Sequence, residues 1–69
     1  MLFDIYGHYE VDVIRDGAKW KVFNLGEGKR ILLSDLIIPS EVQEHEIATY
    51  LDDLFHEFAK PGQKIQRVS

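Results

Sequence analysis

Residues 24–30 read Asn24-Leu25-Gly26-Glu27-Gly28-Lys29-Arg30, and their Gly-Glu-Gly-Lys core is the nearest approach in the chain to a phosphate-cradling loop. A Walker-type loop needs a preceding strand, two glycines with four residues between them, Lys followed by Ser or Thr, and a helix opening at the Lys. Here only Glu27 separates the glycines, Arg30 follows Lys29, and the apolar run Ile31-Leu32-Leu33 comes next. The stretch therefore reads as a hairpin turn, with glycines where the backbone needs unusual φ.

The three histidines are His8, His45 and His56. Asp52 and His56 stand four apart, a helical spacing at which two side chains can share an ion. His45 lies eleven residues earlier, roughly 16 Å along a helix axis, and cannot join them. His56-Glu57 opens like the H-E-x-x-H zinc motif, but Lys60 stands where the second His is required. Two ligands fall short of the three or four that zinc takes, so no metal and no cofactor is expected. Nucleophilic catalysis needs a nucleophile, a base and an orienting group held together. Ser40 reads as a helix cap, Ser34-Asp35 as a turn, and Ser69 is the last residue. The paired Asp52-Asp53 reads as a solvated helical face. The chain is expected not to be an enzyme.

Composition narrows the classes further. With 69 residues, a single domain spanning 1–69 is expected. A domain this size buries only about 60% of its unfolded surface and is marginal without help from disulfides, metals or a partner chain. There is no cysteine, so disulfides and thiolate zinc sites are excluded, in keeping with a cytoplasmic setting. A 45% apolar share fits a globular domain. The net charge of −4 argues against nucleic-acid binding, which needs a basic surface to displace counterions. No apolar run approaches the roughly 18 residues of a membrane span. Met1-Leu2-Phe3-Asp4 does not open like a signal peptide.

The elements that must position these residues follow from periodicity. From Leu2 to Ile14 the odd positions Phe3, Ile5, Tyr9, Val11 and Val13 are apolar and the even ones mixed polar, the signature of a half-buried strand. Gly7 interrupts it and reads as a bend or bulge in one long strand. Asp16-Gly17 predicts a two-residue type I′ hairpin turn. Each facing pair then sums to 33, setting Val13 against Trp20, Val11 against Val22 and Asp12 against Lys21. Trp20 should be buried beside Val13.

A third strand at Ile31–Leu33 follows, and Leu36-Ile37-Ile38-Pro39 crosses toward a helix. Ser40-Glu41-Val42-Gln43 matches a capping box, with a start near Glu44 as the alternative. Ile47, Tyr50, Leu51, Leu54, Phe55 and Phe58 form an apolar stripe at helical spacing. The helix stops before Pro61-Gly62. Lys64–Val68 reads as a last strand. The expected fold is a two-layer α+β domain, βββαβ, with one mostly antiparallel sheet in the order 3-2-1-4. A parallel fourth strand beside the first would make the crossover right-handed.

The Asp16-Gly17 turn, Trp20-Lys21-Val22, the single helix and the terminal Lys64-Ile65 together resemble the HicB-like antitoxin domain, a partial ribonuclease-H fold. The resemblance implies a role in toxin neutralisation. The family's usual Pro-Gly in the second hairpin is replaced here by Leu25-Gly26-Glu27-Gly28, and the DNA-binding segment that many members append is not expected within these residues. The chain is also similar in type to short uncharacterised bacterial proteins, a likeness that implies no chemistry.

One helix covers one face of a sheet. In the register above, the uncovered face carries Tyr6, His8, Glu10, Asp12, Lys19, Lys21 and Phe23. Aromatics on an open sheet can stack nucleobases. Counting Asp4, however, three acids stand against two lysines, whereas stacking platforms are basic. Tyr6, His8 and Phe23 are therefore expected to form a contact surface for a protein partner or a second copy of the chain. The acids Glu41, Glu44, Glu46, Asp52, Asp53 and Glu57 read as a solvated surface around the helix, or alternatively as a docking face for a basic partner.

Overall fold

Gly7 reverses the chain instead of bending it. In the computed structural model, Tyr6 and Gly7 adopt φ of 56° and 78°, and the His8 N–H donates to the Ile5 carbonyl at 2.9 Å. Two successive positive φ values are the mark of a type I′ turn. The single strand expected over Leu2–Ile14 is thus two, β1 (Leu2–Ile5) and β2 (Tyr9–Asp16), paired antiparallel with Phe3 opposite Val11. The alternation hid this because the loop holds three residues. An odd number leaves the odd positions facing the core on both sides of the turn.

The structure describes residues 1–69, except for the side chains of Glu27 and Phe58. After β2 come β3 (Lys19–Asn24), β4 (Ile31–Leu32), helix α1 (Ile47–Phe55) and β5 (Ile65–Arg67). All five strands form one sheet, in the order β4-β3-β2-β1-β5. The first expected strand is folded into a hairpin, which makes five strands. This arrangement replaces both the expected count and the order 3-2-1-4. β5 pairs antiparallel with β1, so the parallel fourth strand is corrected as well. β5 still runs parallel to β2, but β1 lies between them. At the far end of β5, Val68 and Ser69 both donate to the Leu2 carbonyl, at 2.7 and 3.3 Å. Two residues facing one is a β-bulge.

The hairpin between β2 and β3 also departs from expectation. Val13 faces Val22, Arg15 faces Trp20 and Asp16 faces Lys19, so pairs sum to 35. The loop is Gly17-Ala18, with Gly17 at φ 60° and Ala18 outside the positive region. That is the II′ pattern, which places glycine first, where the I′ reading placed Asp16. The error moves β3 by two positions along β2, so every side chain keeps its face. Trp20 accordingly lies beside Arg15, whose guanidinium carbon sits 4.5 Å from the ring centroid. The indole is half-buried, and its Nε1–H donates to the Val42 carbonyl at 2.9 Å.

One face of the sheet packs on α1. Phe3, Ile5, Val11, Val13 and Val22 from the strands meet Ile38, Ile47 and Leu51, with Tyr6 buried among them. Tyr9 and Phe55 close one end of the layer in an edge-to-face contact, ring centroids 6.2 Å apart. The helix begins at the later of the two expected starts. The Gln43 N–H donates to the Glu46 carboxylate at 2.9 Å, a single 3₁₀ turn covers Glu44–Glu46, and α1 proper runs from Ile47. Ser40 is exposed and outside the helix. The buried face of α1 is Ile47 and Leu51, flanked by Ala48, Tyr50 and Phe55. Leu54, expected in that face, is 42% exposed. Phe58, the last member of the expected stripe, lies outside the described side chains.

Candidate functional site

The residues with chemical potential on α1 and in the turn that follows it are spent on local structure. The Asp52 carboxylate accepts a hydrogen bond from the Tyr6 hydroxyl at 2.5 Å. His56 Nδ1 sits 2.9 Å from the Asp53 carbonyl. Among the described residues, no three His, Cys, Asp or Glu side chains gather closely enough to hold a metal ion. The Gly26–Gly28 segment is a 3₁₀ turn between β3 and β4, tied by the Gly26 N–H to Asn24 Oδ1 at 2.7 Å and by the Lys29 N–H to the Gly26 carbonyl at 3.1 Å. No helix opens at Lys29, so the phosphate-loop geometry does not form. Among the described residues, no helix is long and apolar enough to cross a membrane.

The three residues expected to share the uncovered sheet face, Tyr6, His8 and Phe23, do not share it. Tyr6 sits in the β1–β2 turn with its ring in the core, 3% exposed. The parity that placed it on the outer face ends at Ile5, because a turn residue with positive φ leaves the pleat of the strand. Burial, the hydrogen bond to Asp52 and that carboxylate's charge push the Tyr6 phenol up to about 12. His8 is exposed in the same turn. Only Phe23 stands on the open face.

What surrounds Phe23 there is a row of apolar side chains across the sheet. Pairing sets Leu2 opposite Asp12, Asp12 opposite Phe23, and Phe23 opposite Leu32. The bulge places Val68 beside Leu2 at the β5 end. Ile14 extends the patch along β2, opposite Lys21. None of Leu2, Ile14, Phe23, Leu32 or Val68 belongs to the core cluster, and Leu32 and Val68 are 47% and 55% exposed.

A charged pair crosses this row. The Arg30 guanidinium donates to Asp12 Oδ2, and its central carbon lies 4.0 Å from the Phe23 ring centroid. Asp12 Oδ1 lies 3.4 Å from the Met1 nitrogen. The Arg30 contact holds the Asp12 carboxyl below its ordinary range. Next to the row, Asp4 faces Glu10, a like-charge cross-strand pair that works against the sheet.

Leu2 and Ile14 were visible as the two apolar residues at even positions of the first segment. Arg30 and Leu32 could not be placed without the β3–β4 register, nor Val68 without the bulge.

A cleft of about 450 Å³ lies at the outer edge of β3, lined by Lys19–Val22 on one side and by Leu32–Ser34 and Leu36–Ser40 on the other. A second concavity, of about 470 Å³, lies over α1 between Val42, His45, Glu46, Thr49, Tyr50 and Asp53.

The chain belongs to the family described as domain of unknown function DUF7661, matched over residues 1–69. No curated protein and no solved structure matches it.

Proposed function

We propose that the chain is a small non-catalytic protein-interaction domain that docks through the open face of its sheet, and that the docking partner is a second copy of itself. The observation that carries this reading is the row Val68, Leu2, Phe23 and Leu32, with Ile14 beside it. An antiparallel sheet covered on one side normally turns polar residues to water on the other. A row of apolar side chains there, interrupted by Asp12 and its Arg30 partner, serves association better than it serves folding. A second copy facing the first closes a two-sheet sandwich, with inner faces about 10 Å apart. It also supports a domain too small to be stable by itself. The cysteine-free composition fits a cytoplasmic setting.

The antitoxin resemblance supports a second reading, toxin neutralisation, in which the acids around α1 receive a basic partner. All six, from Glu41 to Glu57, are exposed. Three of them already serve the fold: Glu46 caps the helix, Asp52 holds Tyr6, and Glu44 lies 3.4 Å from Arg67. The open sheet face has the firmer support.

Sedimentation of the wild type and of the double variant Phe23→Ser with Val68→Ser, over a range of concentrations, tests the first reading. The wild type should dimerise and the variant should remain monomeric with an unchanged fold. A wild type that is monomeric throughout removes the self-association. Saturable binding of a small basic RNA-cleaving protein would then favour the second reading.

A further inference from the structure

β4 covers only one end of β3. The pairs are Phe23 with Leu32 and Asn24 with Ile31, and the Leu33 N–H adds one bond to the Val22 carbonyl at 2.9 Å. The chain then turns away through Ser34-Asp35, closed by the Leu36 N–H to the Leu33 carbonyl at 3.1 Å. β3 itself continues back to Lys19. Because the Val22 carbonyl points toward β4, strand alternation aims the Trp20 N–H and C=O to the same side. Neither of these two groups makes a backbone hydrogen bond on that side among the described residues. They open into the cleft of about 450 Å³, whose far wall includes Leu36, Ile37 and Pro39. Ile37 is 74% exposed, the most exposed of the large apolar side chains among the described residues.

We propose that this edge is a strand-addition site that takes an extended peptide of alternating aliphatic and acidic residues, as a sixth strand along Lys19–Val22. The site is distinct from the open face and does not depend on its role. The chemistry of the occupant follows from the two faces of β3. A main chain laid along the edge satisfies the outward groups of Trp20. Its side chains alternate with period two. One set lies beside Trp20 and Val22, against the apolar wall of the cleft. The other set lies beside Lys19 and Lys21. The Lys21 ammonium already holds Asp16 at 2.6 Å, whereas Lys19 has no ion pair among the described residues. Carboxylates on the incoming strand complement that charge. A second copy presenting the same edge would set lysines against lysines, the arrangement by which edge strands resist pairing with themselves.

The test titrates the full chain with acetyl-Glu-Val-Glu-Val-Glu-Val-amide and follows Trp20 fluorescence together with the Trp20 backbone amide resonance. Binding should saturate, weaken as salt is added, and slow the exchange of the Trp20 amide proton. The same peptide N-methylated at alternate residues along its bonding edge should bind roughly tenfold more weakly or worse. Lys19→Glu, at an exposed position, should lower affinity for the acidic peptide and raise it for the Lys-Val counterpart. Failure to saturate at millimolar peptide, affinity indifferent to N-methylation, or equal binding of the Lys-Val peptide to the wild type would each overturn the proposal. So would Trp20 amide protection that rises with the concentration of the chain alone, because a second copy would then hold the edge.

Discussion

The Tyr6 hydroxyl donates to Asp52 Oδ1 at 2.5 Å, joining the β1–β2 turn to the middle of α1 across 46 residues of sequence. Tyr6 is also the one non-glycine residue with positive φ among those described, at 56°. A left-handed backbone costs an ordinary residue roughly 1–2 kcal/mol. The compensation is visible in the side chain, because this backbone lets the ring drop into the core while its hydroxyl reaches the exposed carboxylate. Removing the hydroxyl keeps the ring and loses the bond. Tyr6→Phe should therefore cost about 1.5 kcal/mol at neutral pH, the low end for a bond to a charged group, read by urea denaturation.

The same bond sets an alkaline limit. The Tyr6 phenol is raised from 10.0 to about 12, first by burial and then by Asp52. The folded state therefore binds this proton more tightly than the unfolded one. Its contribution is full below pH 10.0 and is lost as pH rises toward about 12. Wild type and Tyr6→Phe should converge in stability across that window. A gap that stays constant would mean the phenol does not titrate with unfolding.

At the acid end the corresponding group is Asp12. The hydrogen bond from Arg30 is the largest cause of its lowered pKa. A depressed carboxyl stabilises the fold above its unfolded value, near 3.9, and the contribution is lost as pH falls through the folded value. Arg30→Gln should cost about 0.5–1 kcal/mol at neutral pH, the scale of a partly exposed pair. That difference should shrink on acidification below about pH 4. It should also free the Phe23 ring from its cover, seen as a change in the ring proton shifts. A loss that is independent of pH would assign the effect to the Arg30 stem packing on Phe23 and not to the ion pair.

The two turns misread from the sequence, at Gly7 and at Asp16-Gly17, share one physical origin. Hydrophobic alternation reports which face a residue occupies and is blind to any rearrangement that preserves parity. The three-residue loop at Tyr6–His8 and the two-place shift of β3 both preserve it, which is why Phe3, Val11, Val13 and Val22 were legible as core. The residues in the turn, Tyr6 and His8, are the ones misplaced, because strand parity does not extend to them. The open-face row was half legible. Leu2, Ile14 and Phe23 follow from alternation, whereas Leu32, Arg30 and Val68 depend on a two-residue strand and a terminal bulge, features too short to leave a period. The unpaired edge of β3 could not be read at all, because it depends on where β4 stops.

The β2–β3 register has a direct spectroscopic test. Val13 and Val22 face each other in a pair that does not exchange hydrogen bonds, where the Cα atoms approach to about 4.5 Å. A strong Hα–Hα nuclear Overhauser effect between Val13 and Val22 is expected. The alternative register, with Asp16-Gly17 as the loop, would instead put such a signal between Ile14 and Lys19. Gly17→Ala should in addition destabilise the hairpin by roughly 1 kcal/mol, because a side chain at φ 60° is strained even with open space around it.

The helix offers a contrast between two leucines three residues apart. Leu51 is fully buried against the sheet, at 0% exposure, whereas Leu54 on the next turn is 42% exposed. Spacing placed both on one stripe, but the stripe is broader than the contact. With Ile47, Leu51 and Phe55 facing the strands, Leu54 rotates past the rim. Leu51→Ala removes packed methyl groups and leaves a cavity, so it should cost about 2–5 kcal/mol. In a domain whose core supplies only about 3–5 kcal/mol, that is enough to unfold it. Leu54→Ala should cost less than about 1 kcal/mol, because its side chain keeps much of its surface in water in the folded state and alanine is the better helix former. Chemical denaturation of both variants, with the unfolding slope compared to confirm that the same transition is being measured, separates the two cases. Equal and large losses at both positions would show that the helix turns Leu54 inward and that its contact with the sheet is wider than the Ile47–Leu51–Phe55 line.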